Sequence, residues 1–329
     1  MAFTPPFTAT GYTGTGQLDD QVKKAYDLMA HFALRTTPCY EIIADVKSTS
    51  QSHNGSGVQF TFLNDLAQAT AELAEHIDVT PQALGDSAVN ITLKEYGNAV
   101  LTTAKVRATS FLNVDSDAAN IVGYNMADSM DKIVADIANG GANVIYANGA
   151  ANRGAIVPAD KFGAAEARQA VADLRTRSAP GWENGNYMAI IHPNVSYDLR
   201  SDTAVTDVIN YQLYQGTGEA IKAGSIGTFN GVEYIENPRA GVIAAGGTAV
   251  GGVATQVFQT LVVGRQFMAK AFSRAPGFGP DPSVVFGPQV DVLRRYNPIG
   301  WYHLAGYGRF REASGIRIES GATINTIAT

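Results

Sequence analysis

The residue types most able to do chemistry stand closest together in YMAIIHPNVSYDLR, Tyr187 to Arg200, where His192 is followed by Tyr197 and Asp198. An imidazole with a phenol and a carboxylate nearby could serve general acid–base catalysis if a nucleophile or second base stood at usable spacing. None does. YMAII reads as a buried strand, and Pro193 suits the first turn of a helix, where a missing N–H costs nothing. His192 is then the residue held extended before a proline, hydrogen-bonding within a strand-to-helix corner rather than acting on a substrate.

The remaining candidates are weaker still. The histidines His31, His53, His76, His192 and His303 are scattered, and none forms the close metal pair of an H-E-x-x-H motif. GYTGTG, Gly11 to Gly16, only loosely matches a dinucleotide fingerprint, because no strand precedes it. Glu72, Glu75 and Asp78 form a small acidic group that suits solubility or contact with a basic partner surface better than catalysis. The single cysteine, Cys39, excludes an intrachain disulfide and a multi-cysteine zinc site. With no cation beside it to lower its pKa, it reads as a small buried hydrophobe. No catalytic, cofactor-binding or metal-binding residue is therefore assigned, no cofactor is expected, and the chain is not read as an enzyme.

The elements that carry these residues explain the empty inventory. Of 329 residues, 45% are hydrophobic and only 16% charged, against about a quarter charged in an ordinary globular protein. A surface so poor in charge suits a protein held against copies of itself. The net charge is −6 with no dense Lys/Arg cluster, so nucleic acid is expected at most as a weakly bound neighbour. The amino terminus lacks the basic start and apolar core of a signal peptide. Gly241 to Gly264 is uncharged but broken by paired glycines, threonines and two glutamines; it reads as two strands around a Gly/Ala loop, not a membrane span.

Along the chain, residues 1–17 look like an extended arm, followed by helical spacing of Leu18, Val22, Tyr26, Met29 and Phe32 that Pro38 ends. Glu41 to Val46 is strand-like, and KSTSQSHNGSG, Lys47 to Gly57, is a flexible turn that could act as a hinge. Val58–Leu66 and Val89–Val106 alternate as strands, with Gly97 as a bulge or close-approach point, around a polar, acidic crossing. Two such segments form a projecting two-stranded arm that one small domain cannot cover. A long helix capped by Ser116 or Asp117 runs to about Ala138, with Val122, Met126, Met130, Ile133 and Ile137 as its stripe. A second, from Ala164 to Arg177, buries Ala167, Val171 and Leu174. After YMAII and its helix come a further helix over VTDVINYQLY, a Gly-rich loop, and the strand VEYIENP. The last quarter, PQVDVLRRYNPIGWYHLAGYGRF and GIRIES, reads as strands of one sheet.

Four stretches in this order, LKEYGNAVLTT, IIHPNVSYDLRSD, GSIGTFNGVEYIENP and NPIGWYHLAGYGRFREASGIRIES, resemble the major capsid proteins of tailed bacteriophages with the Hong Kong 97-type fold, and more narrowly the N4-type major capsid family. The Gly/Ala-rich Ala244 to Thr255 departs from that pattern. The resemblance implies an α+β fold with an amino-terminal arm and helix (1–46), an extended β-hairpin loop (47–115), a peripheral domain built on the long spine helix (116–182 and 262–329) and an axial domain (183–261). It implies self-assembly into hexamers and pentamers of an icosahedral head enclosing double-stranded DNA, placed in the virion after assembly in the host bacterial cytoplasm. Scaffolding, portal and cement or decoration proteins are the implied partners, with no membrane. The chain starts with the arm rather than a charged helical leader, which points to scaffolding on a separate protein. An encapsulin-like nanocompartment is the alternative in the same fold; a receptor-binding or decoration role and an enzyme centred on His192, Tyr197 and Asp198 are readings from other classes.

If the arm links subunits, removing residues 1–30 leaves a soluble fold and blocks closed-shell formation. Negative-stain electron microscopy of the truncated chain checks this, and normal particles would refute the arm's role.

Overall fold

The structure, a computed structural model, describes residues 35–47, 56–70, 72–73, 75–76, 78–110, 113–182, 185–202, 227–273, 279–289 and 291–324. The expectations for the arm and its helix, GYTGTG, His31, His53, the serine-rich hinge, the helix over VTDVINYQLY and most of the following Gly-rich loop lie outside these residues.

The described chain opens with a 3-10 turn, Tyr40–Ile43, and β1 (Ala44–Lys47). Next come β2 (Gly57–Leu63), β3 (Asp86–Thr92), β4 (Lys94–Thr103), the short α1 (Ala104–Thr109) and the long α2 (Val114–Ala138). Then follow β5 (Val144–Tyr146), α3 (Ala164–Thr176), β6 (Tyr187–Ile191), α4 (Pro193–Ser201), β7 (Thr228–Phe229), β8 (Val232–Glu236) and β9 (Val242–Ile243). The chain ends with β10 (Val257–Val263), β11 (Met268–Phe272), β12 (Ser283–Phe286), β13 (Tyr296–Arg309) and β14 (Gly315–Ser320). Among the described residues no helix is long and apolar enough to cross a membrane.

Three sheets result. In the first, β13 is the common strand. Its Tyr296–Ala305 stretch pairs antiparallel with all of β4, while β12 and then β11 share its other edge; β1 adds in parallel to β11. In the second, β10 is central, flanked by β14 on one side and by β6 and β9 on the other, with β5, β8 and β7 outside them. The third is the hairpin of β2 and β3 alone.

The second sheet is buried on both faces, which is why every residue of β10 is buried, Gln259 and Thr260 included, rather than every second one. Side chains on successive residues point to opposite faces. Ala189, Ile191, Phe258 and Val262 therefore pack with α3 and α4, while Ile190, Leu261 and Val263 pack with α2 and the first sheet. Helix α2 thus lies in the core shared by the two sheets. Its apolar stripe is the expected one, with Val122 and Met130 buried and Met126, Ile133 and Ile137 partly so.

Several expectations need correction. The helix starts three residues early: Asn113 is its N-cap and the acids sit in the first turn, where they favour the helix dipole and Asp115 also binds Arg107 at 2.8 Å. The strand expected over Val89–Val106 breaks at Leu93. Its second half leaves the hairpin for the first sheet, and Thr103 caps α1 by accepting the Val106 N–H at 3.2 Å. Only Tyr296–Arg309 of the stretch from Pro288 is strand, because Asp291 and Arg294 adopt left-handed backbone before it. GIRIES, as β14, belongs to the second sheet, not to that of β13. Glu41 and its neighbours form the 3-10 turn before the strand begins. Gly97 is a close approach as expected, since a Cβ there would lie 2.8 Å from the Trp301 carbonyl oxygen.

The carboxyl end of α2 is held by arginines from the strands. Arg309 Nη1 donates to the Ile137 carbonyl at 2.7 Å, and Arg317 Nη1 donates to the carbonyls of Asn139 and, at 3.1 Å, Gly141. These cations add bonds to carbonyls at the end of the helix and in the turn after it, where positive charge favours the helix dipole. Arg317 also pairs at 2.8 Å with the fully buried Glu319, which accepts a two-pronged bond from Arg153 at 2.8 and 2.6 Å and one from Gln259 at 3.2 Å. Burial pushes the Glu319 carboxyl up, but these donors outweigh it and hold it below the usual carboxylate value.

Two predictions follow from this packing. A depressed carboxylate contributes stability above its unfolded value near 4.5 that is lost as pH falls through its lower folded value. The thermal midpoint should therefore decline below that pH, and Glu319→Gln should flatten the decline while costing about 3–5 kcal/mol at neutral pH; calorimetry across pH reads both. At Gly306 an added Cβ would lie 2.4 Å from the Thr92 carbonyl oxygen, whereas at Gly123 on α2 it meets nothing. Gly306→Ala should cost about 1–3 kcal/mol and Gly123→Ala should stabilise by up to about 1 kcal/mol, both measured by denaturant unfolding.

Candidate functional site

His192, Tyr197 and Asp198 lie within seven residues of sequence but face separate tasks. His192 is the N-cap of α4: Nδ1 accepts the Asn194 N–H at 3.1 Å, and the ring lies 5.0 Å from that of Phe258. Burial holds its pKa below the usual histidine value, keeping the neutral form that this acceptor role requires. Asp198 is buried and accepts the Thr323 N–H at 2.8 Å and hydroxyl at 2.5 Å, which fastens the segment after β14 to α4. Tyr197 is exposed. No reacting centre is assembled here.

Among the described residues no group of three or more His, Cys, Asp or Glu side chains could hold a metal ion. His76 is exposed and His303 is buried in β13. Cys39 is buried, with its thiol pushed up to about 11 by burial and by the Asp131 carboxylate. A cation does lie near it, Arg239, and the Asn237 amide donates to its sulfur at 2.9 Å; both act in the opposite direction to burial and are outweighed. Glu72, Glu75 and Asp78 are exposed in the crossing beyond the hairpin.

The structure instead presents one strap, one buried cluster and a set of uncovered surfaces. The strap is Arg35–Ile43, laid between α2 and the loop after β8. Asp131 of α2 accepts the backbone N–H groups of Cys39 and Tyr40 at 2.8 and 2.6 Å; burial raises its pKa against the lowering effect of those bonds. Asn237 donates to the Thr37 carbonyl at 2.9 Å, and Arg35 stacks over Tyr124 at 4.7 Å. In the cluster, Lys270 of β11, nearly inaccessible, reaches Glu41 at 2.5 Å, and Tyr307 of β13 donates to the same carboxylate at 3.3 Å. Spacing did not reveal these residues. Their one signal was a charge inside an apolar run, as in MAKAF, GIRIES and MDKIVADIA, and such charges ordinarily face water.

The hairpin is the main uncovered surface. Its root is seated: Val58 and Ile91 pack on Ala269 and Ala271, and Phe60 and Phe62 lie 5.4 and 4.6 Å from Phe310. Beyond that, Leu63, Leu66, Leu73, Val79 and Leu84 are exposed, Leu73 at 76%. A second surface runs along β4, which among the described residues pairs only with β13 and carries exposed Val100 and Leu101. A third is the turn before β13, where Val292 is 96% exposed beside Leu293.

This architecture recurs in solved phage capsids. The chain is similar to the capsid of Ralstonia phage GP4 with a TM-score of 0.73 at 13% identity, covering 94% of this chain and 98% of that one. The acidic stable capsid structure of Helicobacter pylori bacteriophage KHP30 gives 0.72 at 10% identity, with 98% and 100% covered. The cyanophage Pam1 capsid gives 0.70 at 12% identity, with 95% and 100% covered. At such identities the likeness concerns the fold, which is of the Hong Kong 97 type. No curated protein is similar enough to count as a match. The phage capsid protein family, however, matches residues 20–328. The chain belongs to that family, whose members are structural proteins, and its function is that of a major capsid protein forming an icosahedral phage head.

Proposed function

We propose that this chain self-assembles into the hexamers and pentamers of a head that encloses double-stranded DNA, as a member of the N4-type branch, and that it carries no enzymatic activity. The observation that carries the reading is the hairpin, whose leucines have no cover among the described residues of their own chain. Isolated two-stranded hairpins are marginal in water, and contiguous exposed apolar surface marks an interaction site. Many moderate contacts per subunit then sum to a shell that is effectively permanent, while each contact stays weak enough to correct errors. Scaffolding, portal and cement proteins are the further partners of such a head, which is built in the host bacterial cytoplasm. A net charge of −6 suits a wall that faces packed DNA without gripping it.

The division of labour follows the sheets. Residues 1–46 form the arm and its root, and 47–115 the extended loop, whose projecting part is β2–β3 while β4 rests on the body. Residues 116–182 and 262–329 form the peripheral domain on α2 and the first sheet. Residues 183–261 form the axial domain around the second sheet, to which β5, α3 and β14 contribute from outside that range.

Electron microscopy of the full chain expressed alone or with its phage's scaffolding protein tests the reading. Closed shells or rings of five and six are expected; a compact monomer at high concentration under both conditions would overturn it.

A further inference from the structure

We infer that the polar cleft where the carboxyl end of α2 meets the second sheet binds a small hydroxylated phosphate ester, of the size of a nucleoside monophosphate. The hairpin packs on the face of the first sheet that turns away from α2, so this cleft is a separate surface, and its ligand does not depend on self-assembly. Its volume, about 540 Å³, is ordinary for a small-molecule site. Gly241 keeps it open: an added Cβ there would lie 2.5 Å from Gln259 Oε1 and 2.8 Å from Asn139 Nδ2.

The charge of the lining suits an anion. Lys132 of α2, Arg153 of the turn Arg153–Ala155 and Arg239 of the loop after β8 line the cleft with a single carboxylate, Asp136. Each cation has an acidic partner: Asp136 for Lys132, Glu319 for Arg153 and Asp128 for Arg239. Glu319 also pairs with Arg317, so these four cations have three carboxylates among them and one positive charge is not cancelled. Lys132 and Arg153 keep 65% and 40% of their side chains exposed, within reach of a ligand at the mouth. Ammonium and guanidinium groups bind phosphate oxygens through charge-assisted bonds. The carbonyls at the end of α2 would repel an anion, but cations already hold them: Arg309 that of Ile137, and Arg317 those of Asn139 and Gly141.

Two acceptors distinguish the ligand from a bare phosphate ion. Asn139 Oδ1 is buried and has no hydrogen-bond partner among the described residues. Gln259 donates through Nε2 to Glu319 at 3.2 Å, which leaves its Oε1 beside Gly241. A buried acceptor without a donor is costly, and a ligand hydroxyl placed there recovers that cost. The hydroxyls of a ribose supply such donors on the same molecule as the phosphate. Val242 and Ile243 of β9, half-buried, form an apolar stretch of the lining suited to the face of a base. Cations, acceptors and apolar wall thus correspond to the phosphate, sugar and base of one molecule.

Isothermal titration calorimetry of the purified full chain with AMP, inorganic phosphate and adenosine tests this. AMP should bind saturably and at least about tenfold more tightly than phosphate or adenosine, because it alone engages both the cations and the acceptors. Lys132→Glu should weaken AMP binding at least about tenfold by setting a carboxylate beside the phosphate. Lys105→Glu, the same change of charge on α1 at the opposite end of α2, should leave it unaltered. An equal loss in both variants would mean general charge attraction without a site. Phosphate binding as tightly as AMP would mean an anion contact that ignores the acceptors. Either result, or no saturable binding of AMP, would overturn the proposal.

Discussion

The governing constraint is that the hairpin has more apolar surface than the described residues of its own chain cover. Its root is sealed because small residues let it approach: Ala269 and Ala271 receive Val58 and Ile91, and Gly306 and Gly308 leave room for the Ile91 side chain. Past Phe62 no described element follows it outward, and the leucines of the crossing are exposed. Burying such side chains is worth about 1.5–3 kcal/mol each, a gain that contact with another molecule supplies. The low charge content belongs to the same logic, since a surface meant for contact carries few groups that must be desolvated.

The body has to be stiff for that surface to be presented at a fixed place. Helix α2 contributes to the core shared by two sheets, so neither sheet can shift without opening it. Its polar fastenings reach across long stretches of sequence: Asp131 to the backbone of Cys39 and Tyr40, Arg309 and Arg317 to its last carbonyls. The first of these sets where the amino-terminal segment leaves the body, because the strap is held from both sides, by α2 and by Asn237. Each bond is buried or partly so, where losing a partner costs more than the bond contributes. Rigid body and uncovered extension are therefore built from different materials, paired polar groups in the one and unsatisfied apolar ones in the other.

How much of this was legible in the sequence follows from what each pattern encodes. Periodicity located α2, α3 and the hairpin strands, because those elements repeat a face toward a single core, while a continuous apolar run marked YMAII, which faces two. It failed where an element changes core. Val89–Val106 alternates throughout, yet Leu93 divides it between two sheets, and alternation carries no record of which partner a strand joins. GIRIES was assigned to the sheet of β13 for the same reason. The N-cap of α2 was misplaced because Ser116 and Asp117 are good capping types, while Asn113, which is used, gives no side-chain bond to the helix. Family resemblance conveyed the assembly; the strap, the Glu319 network and the Lys270 cluster depend on pairings far apart in sequence, which one chain without its relatives does not display.

The corner at His192 shows why a protein without evident chemistry can look as though it had some. Imidazoles and carboxylates are drawn to buried turns by the same property that makes them catalysts, the ability to hold a proton or a bond at a defined atom. Here that capacity is already consumed. His192 has its acceptor on the Asn194 N–H, Asp198 receives two bonds from Thr323, Asp131 receives two backbone N–H groups, and Glu319 is surrounded by Arg153, Arg317 and Gln259. An acid or base that works on a substrate must keep an atom free and reachable, whereas these are buried and tied to structural partners. What distinguishes a joint from an active site is therefore not which residues are present but whether any of their lone pairs or protons is left to offer.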